Sequence, residues 1–113
     1  MATFSLKDNR EFQHVYKKGK SLANKYIVVF VLKNNRDFNR LGISASKKVG
    51  KAVVRNRQRR RLKEAFRLLE AGVCVGYDIV ILPRAAITQI SFSEISFGLG
   101  RLLRRHGIWR QDG

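Results

Sequence analysis

The hydrophobic positions change period several times along the chain, and each change marks an element. Phe12, Val15 and Tyr16 recur at helical spacing behind Asp8, which forms a capping-box pattern with Glu11. Gly19 predicts that this helix ends at about Lys18. Residues 22–32 are rich in β-branched and aromatic side chains, and the period becomes two. Tyr26, Val28, Phe30 and Leu32 share one face, while Ile27, Val29 and Val31 take the other. With both faces apolar, the pattern predicts a central strand. Asn34, Asn35, Asp37 and Asn39 supply turn chemistry, and residues 41–45 predict a short returning strand.

Helical spacing then resumes. Ser46 is placed to cap the next segment, but Gly50 predicts that the continuous helix starts only near Lys51; it runs to Glu70 and stops at Gly72. Residues 77–82 predict a short apolar strand closed by Pro83. Ser91 and Glu94 repeat the capping-box pattern, and Phe92, Ile95, Leu99, Leu102 and Leu103 form a helical stripe that Gly107 ends. The order predicts an α+β fold, with helices packed on a mixed sheet.

On a wheel of the long helix, Val54, Leu62, Ala65, Phe66 and Leu69 share one side. Asn56, Arg59, Arg60, Lys63 and Arg67 lie opposite, with Arg57 and Arg61 on the flank. Residues 47–67 carry ten basic side chains against one acid, Glu64. Solvated helices ordinarily mix signs to gain pairs one turn apart, so an unrelieved row points to an anionic partner. Arginine suits phosphate, because its planar fork bonds two oxygens at once.

The whole-chain balance agrees. There are 24 Lys and Arg against 8 Asp and Glu, a formal charge of +16. Such an excess repels itself in the folded state and is best explained by a polyanion that neutralises it, nucleic acid first among them. A second basic group, Arg101, Arg104, Arg105 and Arg110, lies near the C-terminus. The 113 residues, 44% of them hydrophobic, suit one packed domain over 1–113. A single cysteine, Cys74, excludes an internal disulfide or a Cys-rich zinc module; between Val73 and Val75 it reads as core. No apolar run reaches the length of a bilayer span and no signal segment is evident, so the reading is a soluble cytoplasmic domain with no membrane partner. The carboxylates form no metal-binding pattern, and His14 and His106 stand alone as possible acid–base groups. The sequence describes a binder without an evident catalytic residue or metal site.

Residues 46–57, Ser-Lys-Lys-Val-Gly-Lys-Ala-Val-Val-Arg-Asn-Arg, closely resemble the signature of the protein subunit of bacterial ribonuclease P. Glu11-Phe12 with Val15-Tyr16 and Gly19 looks like that family's first helix, and Leu41-Gly42-Ile43-Ser44 like the strand before the signature. Tyr77-Asp78-Ile79-Val80-Ile81 looks like its last strand, so the similarity spans nearly the whole chain. The resemblance implies an α/β sandwich with a sheet of about four strands and a left-handed crossover around the basic helix. It also implies a holoenzyme in which the RNA subunit carries the catalytic Mg2+ and removes the 5′ leader of precursor tRNA. The protein would bind both RNAs, and no protein partner is identifiable. Carried onto this chain, Phe12, Tyr16 and Phe30 would line the leader cleft. Lys47 and Lys48 would form its rim, with Arg84 after the last strand. Arg55, Asn56, Arg57, Arg59, Arg60 and Lys63 would face the RNA subunit.

The chain departs from the family pattern at Gln58 and Arg61, where aliphatic residues are usual, and at Pro83, where a basic one is common. Gln58 falls inside the apolar stripe, so replacing it with isoleucine is expected to gain about 1 kcal/mol. Two other readings compete: a structural RNA binder such as a ribosomal protein, and a self-sufficient ribonuclease using His14 and His106.

Overall fold

Capping chemistry places the helices where the periodicity puts them. The computed structural model describes residues 3–110. Its elements are β1 (Thr3–Ser5), α1 (Asn9–Lys18), β2 (Lys20–Ala23), β3 (Ile27–Lys33), β4 (Asn39–Ile43), α2 (Ala52–Leu69), β5 (Tyr77–Pro83) and α3 (Phe92–Arg105). Both capping boxes form, Asp8 with Glu11 on α1 and Ser91 with Glu94 on α3. α2 begins without a side-chain cap at Lys51. Ser46 instead accepts from the Lys48 amide at 3.3 Å and shapes the loop ahead of the helix.

The strands form one sheet in the order β1-β4-β5-β3-β2. β1 and β5 lie parallel to β4, while β3 runs antiparallel to both β5 and β2. α2 is the crossover between the parallel neighbours β4 and β5, the βαβ unit expected around the basic helix. Two expectations need correction. The sheet has five strands rather than about four, and the stretch expected as one interior strand supplies two, of which β3 is interior, beside β5, and β2 is at the edge. The apolar stretch is broken at Asn24, whose Oδ1 accepts from the amides of Tyr26 and Ile27 at 2.8 and 2.9 Å. That turn makes β2 a separate edge strand.

Each face of the sheet has its own cover. Ile27, Val29 and Val31 of β3 and Ile79 and Ile81 of β5 pack against Leu62, Ala65 and Phe66 of α2 and Ile95, Leu99, Leu102 and Leu103 of α3. On the other face, Val80, Phe30, Leu32 and Leu82 meet only Leu6 and α1, through Phe12, Val15 and Tyr16. One helix covers less sheet than two, so this second face stays half-buried beside α1. Cys74 is half-buried, which corrects its reading as core; of its neighbours Val73 is buried and Val75 is exposed.

Gln58 is buried at 3% exposure, as its place in the stripe requires. Its Oε1 accepts from Arg61 at 2.9 Å, and Arg61 also donates to the Ile90 carbonyl at 2.7 Å. The departures at Gln58 and Arg61 are therefore one linked pair that ties α2 to the segment before α3. Burial first, and the nearby Arg57 charge second, push the Arg61 pKa below its ordinary value. A hydrogen bond to a charged group contributes about 1.5–3 kcal/mol, enough to cancel the expected gain from an aliphatic side chain. Gln58→Ile alone should therefore lower stability by about 1 kcal/mol. Adding Arg61→Leu should recover that loss, with coupling of about 1–2 kcal/mol in a double-mutant cycle of denaturant melts.

Candidate nucleic-acid interface

The half-covered face of the sheet becomes a trough because its floor is apolar and its rims are polar or charged. α1 sets Phe12 and Tyr16 one turn apart, their ring centroids 6.4 Å from each other. Tyr16 meets Phe30 of β3 edge-to-face at 5.1 Å. Phe12 lies directly over Gly42 of β4, where an added Cβ would come within 2.5 Å of the ring. Glycine is needed there for close approach, and its absence of side chain seats the aromatic against the sheet.

Three depressions run into one another along this face. The first is lined by Tyr16, Val28, Leu82 and Pro83, with Lys48 and Arg84 on its margin. The second, between α1 and β4, is lined by Asn9, Phe12, Tyr16, Ser44 and Arg59. The third lies against α2, where Asn56, Arg59, Arg60 and Lys63 face Phe12, Gly42 and Ile43. Tyr16 and Ser44 are common to the first two, and Phe12, Ile43 and Arg59 to the last two. The aromatic cleft and the basic helix are thus one continuous surface.

Most of the residues expected from the sequence converge here, and some do not. Asn56 accepts from the Arg59 guanidinium at 2.7 Å, which fixes Arg59 at the junction. Lys47 and Lys48 are exposed on a turn pinned by buried Val49, but only Lys48 lines the cleft. Arg55 is half-buried and Arg57 exposed, and neither lines the groove beside Arg60. Pro83 is buried at the end of β5, leaving exposed Arg84 as the cation there. His14 is exposed on α1, whereas His106 lies across the sheet with Nε2 donating to the Val29 carbonyl at 2.8 Å. Burial pushes the His106 pKa down, helped by Lys20 and Arg105. The two histidines share no site. No cluster of three potential metal ligands occurs among the described residues.

Sequence reasoning missed the brace behind the cleft. Arg40 of β4 holds Asp78 of β5 through two bonds of 2.8 and 2.7 Å, and Glu11 of α1 through one of 2.6 Å. Asn34 also donates to Asp78 at 2.9 Å. Burial works to raise the Asp78 pKa, but the bonds from Arg40 and Asn34 outweigh it and hold it below the ordinary range. The Glu11 pKa is lowered by the Lys7 and Asp8 amides and then by Arg40. No local pattern announces this brace, because its partners come from three elements.

The family model described as Ribonuclease P matches residues 2–107. The chain belongs to the ribonuclease P protein family. A ribonuclease P protein component from Clostridioides difficile is 48% identical over 107 residues, covering 94% of this chain and 94% of the relative. One from Lachnoclostridium phytofermentans is 50% identical over 104 residues, covering 92% and 90%. The Staphylococcus aureus RNase P protein superposes with a TM-score of 0.85 at 34% identity, covering 95% of this chain and 98% of that one. The Thermotoga maritima RNase P protein gives 0.82 at 36%, covering 96% and 98%. Family membership sets aside the ribosomal-protein reading, and the separation of His14 from His106 removes the geometry a protein ribonuclease would need.

Proposed function

We infer that the chain is the RNA-binding protein subunit of ribonuclease P, partnering the ribonuclease P RNA and precursor tRNA in 5′ maturation. The continuity of the aromatic cleft with the basic helix supports this reading most strongly. Unpaired bases stack on aromatic faces with little sequence preference, which suits leaders of varied sequence. In this reading Phe12, Tyr16 and Phe30 take the leader bases, and Lys48 and Arg84, with Lys47 nearby, take its phosphates. Asn56, Arg59, Arg60 and Lys63, flanked by Arg55 and Arg57, take the backbone of the RNA subunit. The catalytic Mg2+ belongs to the RNA, and the protein supplies positive charge that would otherwise come from counterions. No described helix is long and apolar enough to cross a membrane, and a cytoplasmic location fits this role.

Reconstitution tests the division of labour. The protein alone should leave precursor tRNA intact, and adding it to a bacterial ribonuclease P RNA at low magnesium should raise cleavage well above that of the RNA alone. RNA-free cleavage that vanishes in His14→Ala or His106→Ala would overturn the reading. Arg60→Glu should weaken binding to the RNA subunit and reduce the slope of log K against log salt by roughly one unit, with the fold intact. An unchanged slope places Arg60 outside the interface.

A further inference from the structure

The trough leaves one basic surface without a role. On the opposite side of the sheet, a groove of about 530 Å³ runs between the turn joining β2 to β3 and the outer face of α3. Asn24 and Tyr26 form one wall, and Phe97, Arg101 and Arg105 the other. It shares no residue with the three depressions beside α1. Phe97 is 67% exposed, an unusual position for a phenylalanine, and the Arg101 guanidinium stands 5.7 Å from its ring centroid. Gly98 allows the walls to approach, since an added Cβ there would come within 2.8 Å of the Asn24 amide. Glu94 is the one carboxylate in the lining, and it is engaged with the amide and hydroxyl of Ser91 in the capping box.

We propose that this groove is a second binding site for unpaired RNA, with a base stacked on Phe97 and flanking phosphates held by Arg101 and Arg105. The charge selects the occupant. An exposed aromatic ring beside two guanidiniums with no carboxylate partner among the described residues matches a chain that alternates flat bases with anions. A second copy of the same protein brings another +16 and is repelled. Arg104, at 4.4 Å over the Trp109 ring on the neighbouring surface, extends the same positive field. The site lies across the sheet from the cleft, so an RNA held here can be occupied while the leader and the RNA subunit fill the trough.

Titration of the 15N-labelled full chain with a ten-nucleotide oligoadenylate tests the proposal. The amides of Tyr26, Phe97, Gly98 and Arg101 should shift saturably, as a set distinct from Tyr16, Phe30 and Ser44, which report on the cleft. Phe97→Ala should weaken the affinity read from the remaining amides of the α3 set by about fivefold or more, while Tyr16→Ala leaves it unchanged. Phe97 is exposed, so a matching thermal melt will show that the variant is folded. Arg101→Gln should lower the salt slope by about 0.7. Silence of the α3 set overturns the proposal, as does full affinity in Phe97→Ala. Equal shifts with a ten-residue oligoglutamate also overturn it and assign the groove to an acidic protein. The cleft amides respond independently, so failure here is distinguishable from failure of the leader reading.

Discussion

Arg40→Met is expected to lower the stability of the fold by about 3 kcal/mol in a denaturant melt, because it strands a buried carboxylate. Asp78 is 2% exposed and takes two of its bonds from Arg40. The methionine keeps most of the packing of the arginine stem, so the loss reports the charge rather than a cavity. The same substitution frees Glu11, so α1 loses its ion pair to β4 and keeps only its apolar packing on the sheet. The pH dependence follows from the direction of the shifts. Asp78 and Glu11 have pKa values depressed in the folded state. Their contribution is therefore complete above the unfolded carboxylate value of about 4 and is lost as pH falls through the folded value. The parent protein should lose stability steeply below about pH 4, and Arg40→Met should show a shallower loss there. Parallel curves would mean that the brace is not what acid titrates.

Tyr16→Ala is expected to reduce affinity for leader-bearing precursor tRNA by about 1–3 kcal/mol, or roughly fivefold to 150-fold, with little change for leaderless tRNA. Tyr16 is the better probe of the aromatic pair. It lines two of the joined depressions and is half-buried, with its edge on Phe30. Phe12 is seated over Gly42, so removing it loses packing as well as stacking. Equal losses for both RNAs, with a lowered melting temperature, would assign Tyr16 to the core.

Local signals account for what was legible in the sequence. The capping boxes, the span of α2 and the place of β5 all depend on residues within a few positions of one another. β1 has only three residues, Thr-Phe-Ser, and shows no period to read. β2 begins Lys-Ser and lies at an edge, where the solvent side asks for little hydrophobicity. The turn between β2 and β3 rests on one asparagine with no glycine beside it, so the two strands read as one. In the site, residue types were readable but their convergence was not. That Arg59 stands at the junction while Arg57 turns away depends on how α2 sits against β4. Arg40 and Asp78 are 38 residues apart, and only the pairing of β4 with β5 brings them together. Gln58 looked like a flaw in a stripe because its partner, Arg61, had been read as a solvent-facing cation.

The exposed side of α2 has a thermodynamic consequence. Arg59, Lys63 and Arg67 succeed one another at intervals of one turn behind half-buried Arg55, and among the described residues only Arg67 of that row has a carboxylate partner, Glu64. Like charges at this spacing oppose the helix, which stands because its other side is held by the sheet. A polyanion along the row relieves that opposition and binds the rigid folded row more tightly than the open chain, so folding and assembly become linked equilibria. The gain follows RT ln(1 + [L]/Kd), about 2.7 kcal/mol when RNA exceeds its dissociation constant a hundredfold. Copies without RNA are therefore the least stable molecules of the population and the first to open to a protease.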